Sequence, residues 1–503
     1  MPAPHRRDFL AASSLSTGAL ALPAVSYGRV LGASERIGVA FLGTGLRCND
    51  HITVVNRIKV EKKNVDLVGA CDVWDGNEEV RRGLYYSAKR CGLNPDDSKH
   101  VTKDYRRLLD LPEVDVVCIA TPDHWHAKMA IDAAAAGKDV FCEKPMTRTI
   151  DEAQAVVDAM KKYQRVMTVG VQSMADPTWK RAYDLIKAGK IGHVAQGQTS
   201  YYRNSIAGQW RTYKLTKDMT PKTIDWDMFL GHQFSVFPGV PLAPKLPFDR
   251  ALYGQWRCYW HFGGGLFTDL FVHQTTHLIA AMGVRYPARV VGAGGIYLEY
   301  DGRDVPDVAT VVADYEEGCQ LIITATMINR YPIEEVIRGR LGTIKFVKDG
   351  FEIIADNPAG GPGAPPRLED RIRGEFVDCK PPKGPHADTH ALWENFLECC
   401  RSRQMETWSP PDLGAAAFTT VMLGVLSYRE GHVLLWDKEQ RRMVPGNGAW
   451  ASGWEKRSHA RGKPNNIHGW QAGDTGCVLE PPAYMKLAGP WIDGKDPAEL
   501  AGG

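Results

Sequence analysis

Gly43-Thr44-Gly45-Leu46-Arg47-Cys48 closes a short apolar run, Arg36–Leu42, and opens a helix-compatible stretch. Gly43 permits a tight turn, and Gly45 lets backbone N–H groups approach a pyrophosphate at a helix N-terminus. Cys48 stands where a third glycine would complete G-x-G-x-x-G, and it is small enough for close helix–strand packing. Asp72 ends the next apolar run, Asp66–Cys71. A carboxylate there accepts hydrogen bonds from a ribose diol and repels a 2′-phosphate, which favours NAD over NADP. Further on, Asp269 and His273 are four residues apart, so a helix would carry both on one face. His277 extends the row. Such a row can hold a metal, but a metal would make His273 a ligand instead of a free base, and none is expected.

The elements that must position these residues alternate in the first part of the chain. Arg36–Leu42, Asp66–Cys71, Val114–Ala120 and Lys138–Cys142 are apolar, with helical stretches such as Trp125–Ala136 between them. Continuous apolar strands separated by helices predict a parallel sheet covered on both faces. Val194–Tyr202, Val290–Tyr297, Val308–Tyr315 and Gln320–Met327 follow without a helix for each, which predicts antiparallel pairing. The Pro- and Gly-rich residues 357–385 read as a long loop. Asp388–Cys400 and Leu413–Gly431 then read as helices, and the chain from about Arg441 as an irregular extension.

At the N-terminus, His5-Arg6-Arg7-Asp8-Phe9-Leu10 precedes small and apolar residues through about Val25. This resembles a twin-arginine export signal, and the absence of any acidic residue between Phe9 and Ser34 favours that reading over an ordinary amphipathic helix with two arginines. The expected organisation is a signal segment (1–33), a dinucleotide domain (34–165), a substrate and oligomerisation domain (166–440) and an extension (441–503). Export would place the protein in the periplasm, tethered to the membrane if the signal stays uncleaved.

The 503 residues carry 61 Lys+Arg against 59 Asp+Glu, a net charge of +2, so no basic footprint points to nucleic acid. Beyond the N-terminus no apolar run approaches the ~20 residues that span a bilayer. The eleven cysteines include no C-x-x-C pair. Cys71, Cys118 and Cys142 fall at strand ends as small buried hydrophobes, and adjacent Cys399 and Cys400 are poorly placed to bridge each other. Mostly free thiols are expected.

Thr121-Pro122-Asp123-His124-Trp125-His126 and Gly137-Lys138-Asp139-Val140-Phe141-Cys142-Glu143-Lys144-Pro145 carry a family resemblance. So do Val169-Gly170-Val171-Gln172, Leu185–Gly192, Trp226-Asp227 with Gly231, and Gly263-Gly264-Gly265-Leu266-Phe267-Thr268-Asp269. In this order, over roughly residues 35–440, the chain resembles the Gfo/Idh/MocA family, the glucose–fructose oxidoreductase and inositol dehydrogenase group. The resemblance implies a Rossmann domain followed by an α/β domain with a large, mostly antiparallel open sheet. It implies an NAD(P)-dependent oxidoreductase acting on a sugar, polyol or glycoside, and oligomerisation through the open sheet.

Oxidising a secondary alcohol requires a group that takes the hydroxyl proton and others that stabilise charge on oxygen. The resemblance gives these tasks to Lys144 and His273, with Asp269 orienting the histidine. Phe271 and Thr276 depart from the D-x-G-x-H-x-x-D of many relatives, so polyol specificity does not carry over. The cofactor set comprises Gly43, Thr44, Gly45, Leu46, Arg47, Asp72, Thr121, Pro122, His124, His126, Glu143, Lys144 and Gln172. His126 is expected to support the cofactor loop structurally. Tyr201, Arg203, Trp210, Arg211, Trp256, Arg257, His261 and His277 are the substrate candidates, because indole stacks on sugar faces and polar groups bond hydroxyls. Exported with its cofactor, such an enzyme would retain NAD. Two alternatives stand beside it: a glycoside hydrolase or lyase working by transient oxidation and elimination, and a non-catalytic sugar-binding protein.

Overall fold

All six residues of Ile37–Leu42 are buried, the pattern of an interior strand with helices on both sides. The computed structural model describes residues 36–356 and 373–461. The expectations for residues 1–33, and much of those for 357–385 and 441–503, lie outside them. The first six strands are β1 (Ile37–Leu42), β2 (Val65–Cys71), β3 (Val101–Thr102), β4 (Val116–Ile119), β5 (Asp139–Glu143) and β6 (Met167–Gly170). They form one sheet in the order β3-β2-β1-β4-β5-β6, parallel throughout. Helices α1 (Leu46–Lys62), α2 (Leu84–Arg90), α3 (Arg106–Leu109), α4 (Asp123–Ala135) and α5 (Ile150–Tyr163) connect them. A capping box starts α5: Thr149 accepts from the Glu152 amide while Glu152 accepts from the Thr149 amide. Because β6 pairs with β5, this sheet runs past the boundary at residue 165 expected from the sequence.

The second half begins with α6 (Pro177–Lys187), β7 (Val194–Tyr202), α7 (Trp226–Leu230), the hairpin β8 (Ser235–Phe237) and β9 (Val240–Pro241), and α8 (Arg250–Gly254). Helices α9 (Gly265–Asp269) and α10 (Phe271–Met282) lead into β10 (Arg289–Gly295), β11 (Val308–Tyr315), β12 (Cys319–Thr326), β13 (Val336–Gly339), β14 (Gly342–Val347), β15 (Gly350–Ala355) and β16 (Glu375–Asp378). After α11 (Ala387–Ser402) and α12 (Pro411–Glu430) come β17 (Leu434–Asp437), β18 (Arg442–Pro445) and α13 (Ala449–Arg461). Ten of these strands make one open sheet, β16-β15-β14-β13-β7-β12-β11-β10-β17-β18. Only β7 and β12 run parallel within it. The residues expected as loop and extension thus contribute β16, β18 and α13, since both sheet edges still offered free backbone groups to pair.

One face of the open sheet is covered by α10 and α12, and β12 alternates accordingly, with Leu321, Ile323 and Ala325 buried. Helix α12 reaches β10 at a glycine pair: a Cβ at Gly292 would stand 2.0 Å from the Gly424 carbonyl oxygen. On the other face, Val291, Val312 and Ile322 lie side by side across β10, β11 and β12. Helix α11 returns to the first domain, where Trp393 stacks on Phe141 with centroids 4.3 Å apart.

The chain between β7 and α9 crosses back over the first domain. Trp74 and Ile224 form an antiparallel bridge, with Asp225 N–H donating to Val73 O and Asp75 N–H to Thr223 O. Asn77 donates to Asp218 at 3.0 Å, Lys103 to Thr223 O at 3.1 Å, and Arg82 to Lys214 O. The ten described cysteines are free. Among the described residues no helix is long and apolar enough to cross a membrane.

Gly292→Ala forces the Cβ into the α12 backbone, an overpacking expected to cost about 1–3 kcal/mol in urea unfolding. A variant as stable as the parent would mean that α12 is free to shift.

Candidate active site

The turn after β1 is built as a phosphate-binding turn must be. Gly43 has φ +80°, and a Cβ there would meet Thr121 at 2.6 Å, so both its conformation and its neighbour require glycine. Gly45 caps α1 without any side-chain cap, which leaves the first amides of the helix open. Asp72 terminates β2 and is buried; its Oδ2 accepts from Thr44 at 3.2 Å and its Oδ1 from the Trp74 amide at 2.9 Å. Burial raises its pKa, against those hydrogen bonds.

Gly43, Gly45, Leu46, Arg47, Asp72, Thr121 and Pro122 line one wall of a groove. The second domain supplies the other wall with Tyr213, Phe229, Tyr253, Trp256 and Arg257, while Trp74 and Arg82 close the Asp72 end. Tyr253 faces Asp72; its own burial, and then the Asp72 charge, push the phenol well up.

Beyond the groove, the catalytic candidates meet around one carboxylate. Lys144 Nζ donates to both Asp269 Oδ1 and Asp269 O at 2.8 Å. Arg257 Nε donates to Oδ1 at 3.1 Å, and the Trp210 indole to Oδ2 at 3.1 Å. Burial opposes ionisation of Asp269, but the adjacent Lys144 and Arg257 cations outweigh it and hold the carboxyl well below the usual range. The hydrogen bonds to the Asp269 side chain come from Lys144, Arg257 and Trp210, and among the described residues none joins it to His273. Leu270 breaks the helix between α9 and α10, and the two residues do not share a continuous helical face. His273 is half-buried against Tyr201, with ring centroids 5.8 Å apart. Burial, then the Lys144 charge, bring its pKa down to about 3, so the imidazole is neutral.

Glu143 sits beneath Lys144 and accepts from its amide at 3.2 Å. Its Oε1 also takes Arg47 Nε at 2.7 Å and His51 Nε2 at 2.9 Å. Trp393 Nε1–H donates to His51 Nδ1 at 2.9 Å, which leaves the imidazole proton on Nε2, directed at Glu143. Burial alone would raise the Glu143 pKa; the Arg47 charge and the His51 hydrogen bond hold it well below the usual range.

Other candidates are placed elsewhere. Thr44 is buried and orients Asp72 without lining the groove. His124 is buried against Phe229 and Phe262, bonded to Phe229 O at 2.9 Å and pushed down to about 3 by burial. It belongs to the core, not the cofactor wall, because the chain crossing there brings the Phe229 carbonyl, which also accepts from the Trp125 indole, within its reach. His126 clamps Pro145 O and Thr121 O at 2.7 and 2.9 Å, a structural role. His277 is a structural residue rather than a substrate contact: it lies buried on Trp179, with Nε2 at 2.8 Å from Glu335 and Nδ1 at 3.1 Å from Ser173. Arg211 is committed to Asp301, Gln255 and Tyr259. Gln172 opens a half-buried turn after β6. His261 gives its carbonyl to Arg148. Among the described residues no His, Cys, Asp and Glu cluster could hold a metal.

Sequence reasoning missed His51 and Trp393, whose partnership spans 342 positions and leaves no local signal. It also missed Arg82 and Tyr253. Asp123 lay inside a quoted motif; it is buried near Arg257, Asp269 and Lys144, and burial pushes its pKa well up.

These features define a two-domain protein with a Rossmann-type dinucleotide groove and a charged cluster at the domain junction. Residues 37–171 match the model of the oxidoreductase family with an NAD-binding Rossmann fold, GFO_IDH_MocA, and residues 245–345 that of the GFO/IDH/MocA C-terminal domain. Both of its domains therefore match models of the Gfo/Idh/MocA oxidoreductase family. It is similar to a levoglucosan dehydrogenase of Pseudarthrobacter phenanthrenivorans, 35% identical over 165 residues, 31% of this chain and 41% of that protein. An alpha-N-acetylgalactosaminidase of Shewanella oneidensis is 28% identical over 244 residues, 42% of this chain and 51% of that one. The matches thus span about half the length of these curated relatives or less. The solved structure of levoglucosan dehydrogenase in complex with NADH and levoglucosan shares the fold, with a TM-score of 0.55 at 20% identity, covering 82% of this chain and 99% of that one.

His51→Leu removes one donor from the buried Glu143 carboxylate and is expected to lose about 1–3 kcal/mol in urea unfolding. His51→Gln, which keeps a donor, should recover most of that loss. Equal stability of His51→Leu and the parent would remove the Trp393–His51–Glu143 chain from the account.

Proposed function

We propose that this protein is an NAD-dependent oxidoreductase that takes hydride from a secondary alcohol of a sugar, polyol or glycoside, and that it retains its cofactor between turnovers. The observation that carries this reading is the Lys144–Asp269–Arg257 cluster, with His273 beside it, next to the groove wall that Arg257 lines. The groove's own residues fit a dinucleotide: a glycine turn at positive φ, an uncapped α1 N-terminus for the pyrophosphate, and a carboxylate at the end of β2 for the ribose. Asp72 at that edge favours NAD over NADP.

NAD, when bound, supplies the hydride acceptor. The Lys144 ammonium places two of its three donors on Asp269, which leaves one for a substrate oxygen. As the C–H bond breaks, negative charge grows on that oxygen, and a fixed, desolvated donor stabilises it. His273, neutral and adjacent, takes the hydroxyl proton. The segment crossing the Asp72 end supports retention. The likeness to a levoglucosan dehydrogenase supports a carbohydrate substrate. The likeness to an alpha-N-acetylgalactosaminidase favours a second reading, elimination of a glycosidic group through transient oxidation. Aglycone release without net NADH formation would select it.

We also propose a homo-oligomer formed through the uncovered face of the open sheet, where Val291, Val312 and Ile322 make an apolar row.

Denaturing mass spectrometry of protein purified without added nucleotide should find NAD(H) in near-stoichiometric amount. Lys144→Ala should retain that nucleotide yet lose hydride transfer by about a hundredfold or more; substantial turnover in this variant would move the donor to another residue. Ile322→Asp should reduce the mass measured by light scattering to that of the monomer, and an unchanged mass would exclude this face as the interface.

A further inference from the structure

The cations around Asp269 outnumber their counter-ions. Lys144 and Arg257 both bond Asp269. Arg203, half-buried at the end of β7, also bears on the charge of Asp269 and His273. Its guanidinium donates to the Tyr201 hydroxyl at 2.9 Å and lies over that ring, 4.9 Å from the centroid. The same ring stacks on His273.

The neighbouring acids are already engaged. Glu143 serves Arg47 and His51. Asp301 serves Arg211 and Arg303. Asp123 is buried, and burial favours its neutral form. Among the described residues no carboxylate pairs with Arg203. One ionised carboxylate, Asp269, therefore faces three permanent or near-permanent cations.

We propose that the substrate carries a carboxylate, as a uronic or other sugar acid does, and that Arg203 receives it while the carbinol lies against His273 and Lys144. This deepens the oxidoreductase reading above and rests on it. A guanidinium fixed on an aromatic face presents its planar fork to a carboxylate, a geometry that a neutral hydroxyl does not use fully. Arg203 and His273 stand against one tyrosine, so a single sugar can reach both. The anion also has a chemical consequence: burial first, and then the Lys144 and Arg203 charges, keep His273 from accepting a proton, and the anion offsets the charge part of that.

The test uses the full-length protein as purified. With an artificial electron acceptor present to reoxidise the retained cofactor, initial rates of turnover are compared for D-glucuronate and D-galacturonate, for D-glucose and D-galactose, and for glucose 6-phosphate. Binding of the same five compounds is measured by calorimetry. The uronates should be preferred in kcat/KM by about tenfold to a hundredfold, the scale of one charge-assisted contact. Arg203→Gln should abolish that preference through KM, and Arg203→Lys should restore only part of it. A preference for the neutral sugars or the phosphate, or an Arg203→Gln loss equal for charged and neutral sugars, would overturn the proposal. If no sugar reduces the cofactor, the oxidoreductase reading falls, and calorimetry still decides this one. Uronate binding that is lost in Arg203→Gln supports the carboxylate site; no binding, or binding indifferent to Arg203, rejects it.

Discussion

A buried, ionised carboxylate must be surrounded by donors, and Asp269 imposes that requirement on three distant parts of the chain. Lys144 comes from the end of β5, Trp210 from the crossing segment and Arg257 from the turn after α8. Lys144 and Arg257 reach one oxygen of the carboxylate and Trp210 the other. Lys144 therefore has one position available, set by a residue of the other domain. Removing Asp269 would leave Lys144 and Arg257 facing each other without a counter-charge. The domain junction and the chemistry at it are one electrostatic arrangement.

Glu143 repeats the arrangement one residue away. Its partners come from α1 and, through His51, from α11. The stack of Trp393 on Phe141 and the indole hydrogen bond to His51 bring a late helix onto the first sheet. That contact fixes a tautomer as well as a position. Two adjacent residues of one strand end, Glu143 and Lys144, are thus anchored separately, one into its own domain and the other into the neighbour.

Much of this was legible in the sequence because it is local. Strand and helix alternation, the turn at Gly43, the carboxylate at Asp72 and the Glu143-Lys144-Pro145 motif all announce themselves within a few residues. Periodicity also located β7, β11 and β12 closely. What failed was anything set by distant pairing. A four-residue spacing read as one helical face for Asp269 and His273, but a break at Leu270 divides it. His124 and His277 carried the right chemistry for a site and are held in the core by Phe229 and by Glu335 with Trp179. Strands β16 and β18 arise in stretches with weak local signal, because a sheet edge supplies partners that composition does not encode. His51 and Trp393 had no signal at all.

The crossing segment also sets a timescale. It is stitched to the end of β2 by a backbone bridge, by Asn77 with Asp218 and by Lys103 with Thr223, and it walls the ribose end of the groove with Tyr253. On the retention proposed above, a nucleotide beneath it exchanges on the timescale at which these contacts open locally. By the same logic, the proposed retention makes the stability of this one segment, rather than that of the whole domain, the quantity that sets how long a nucleotide stays.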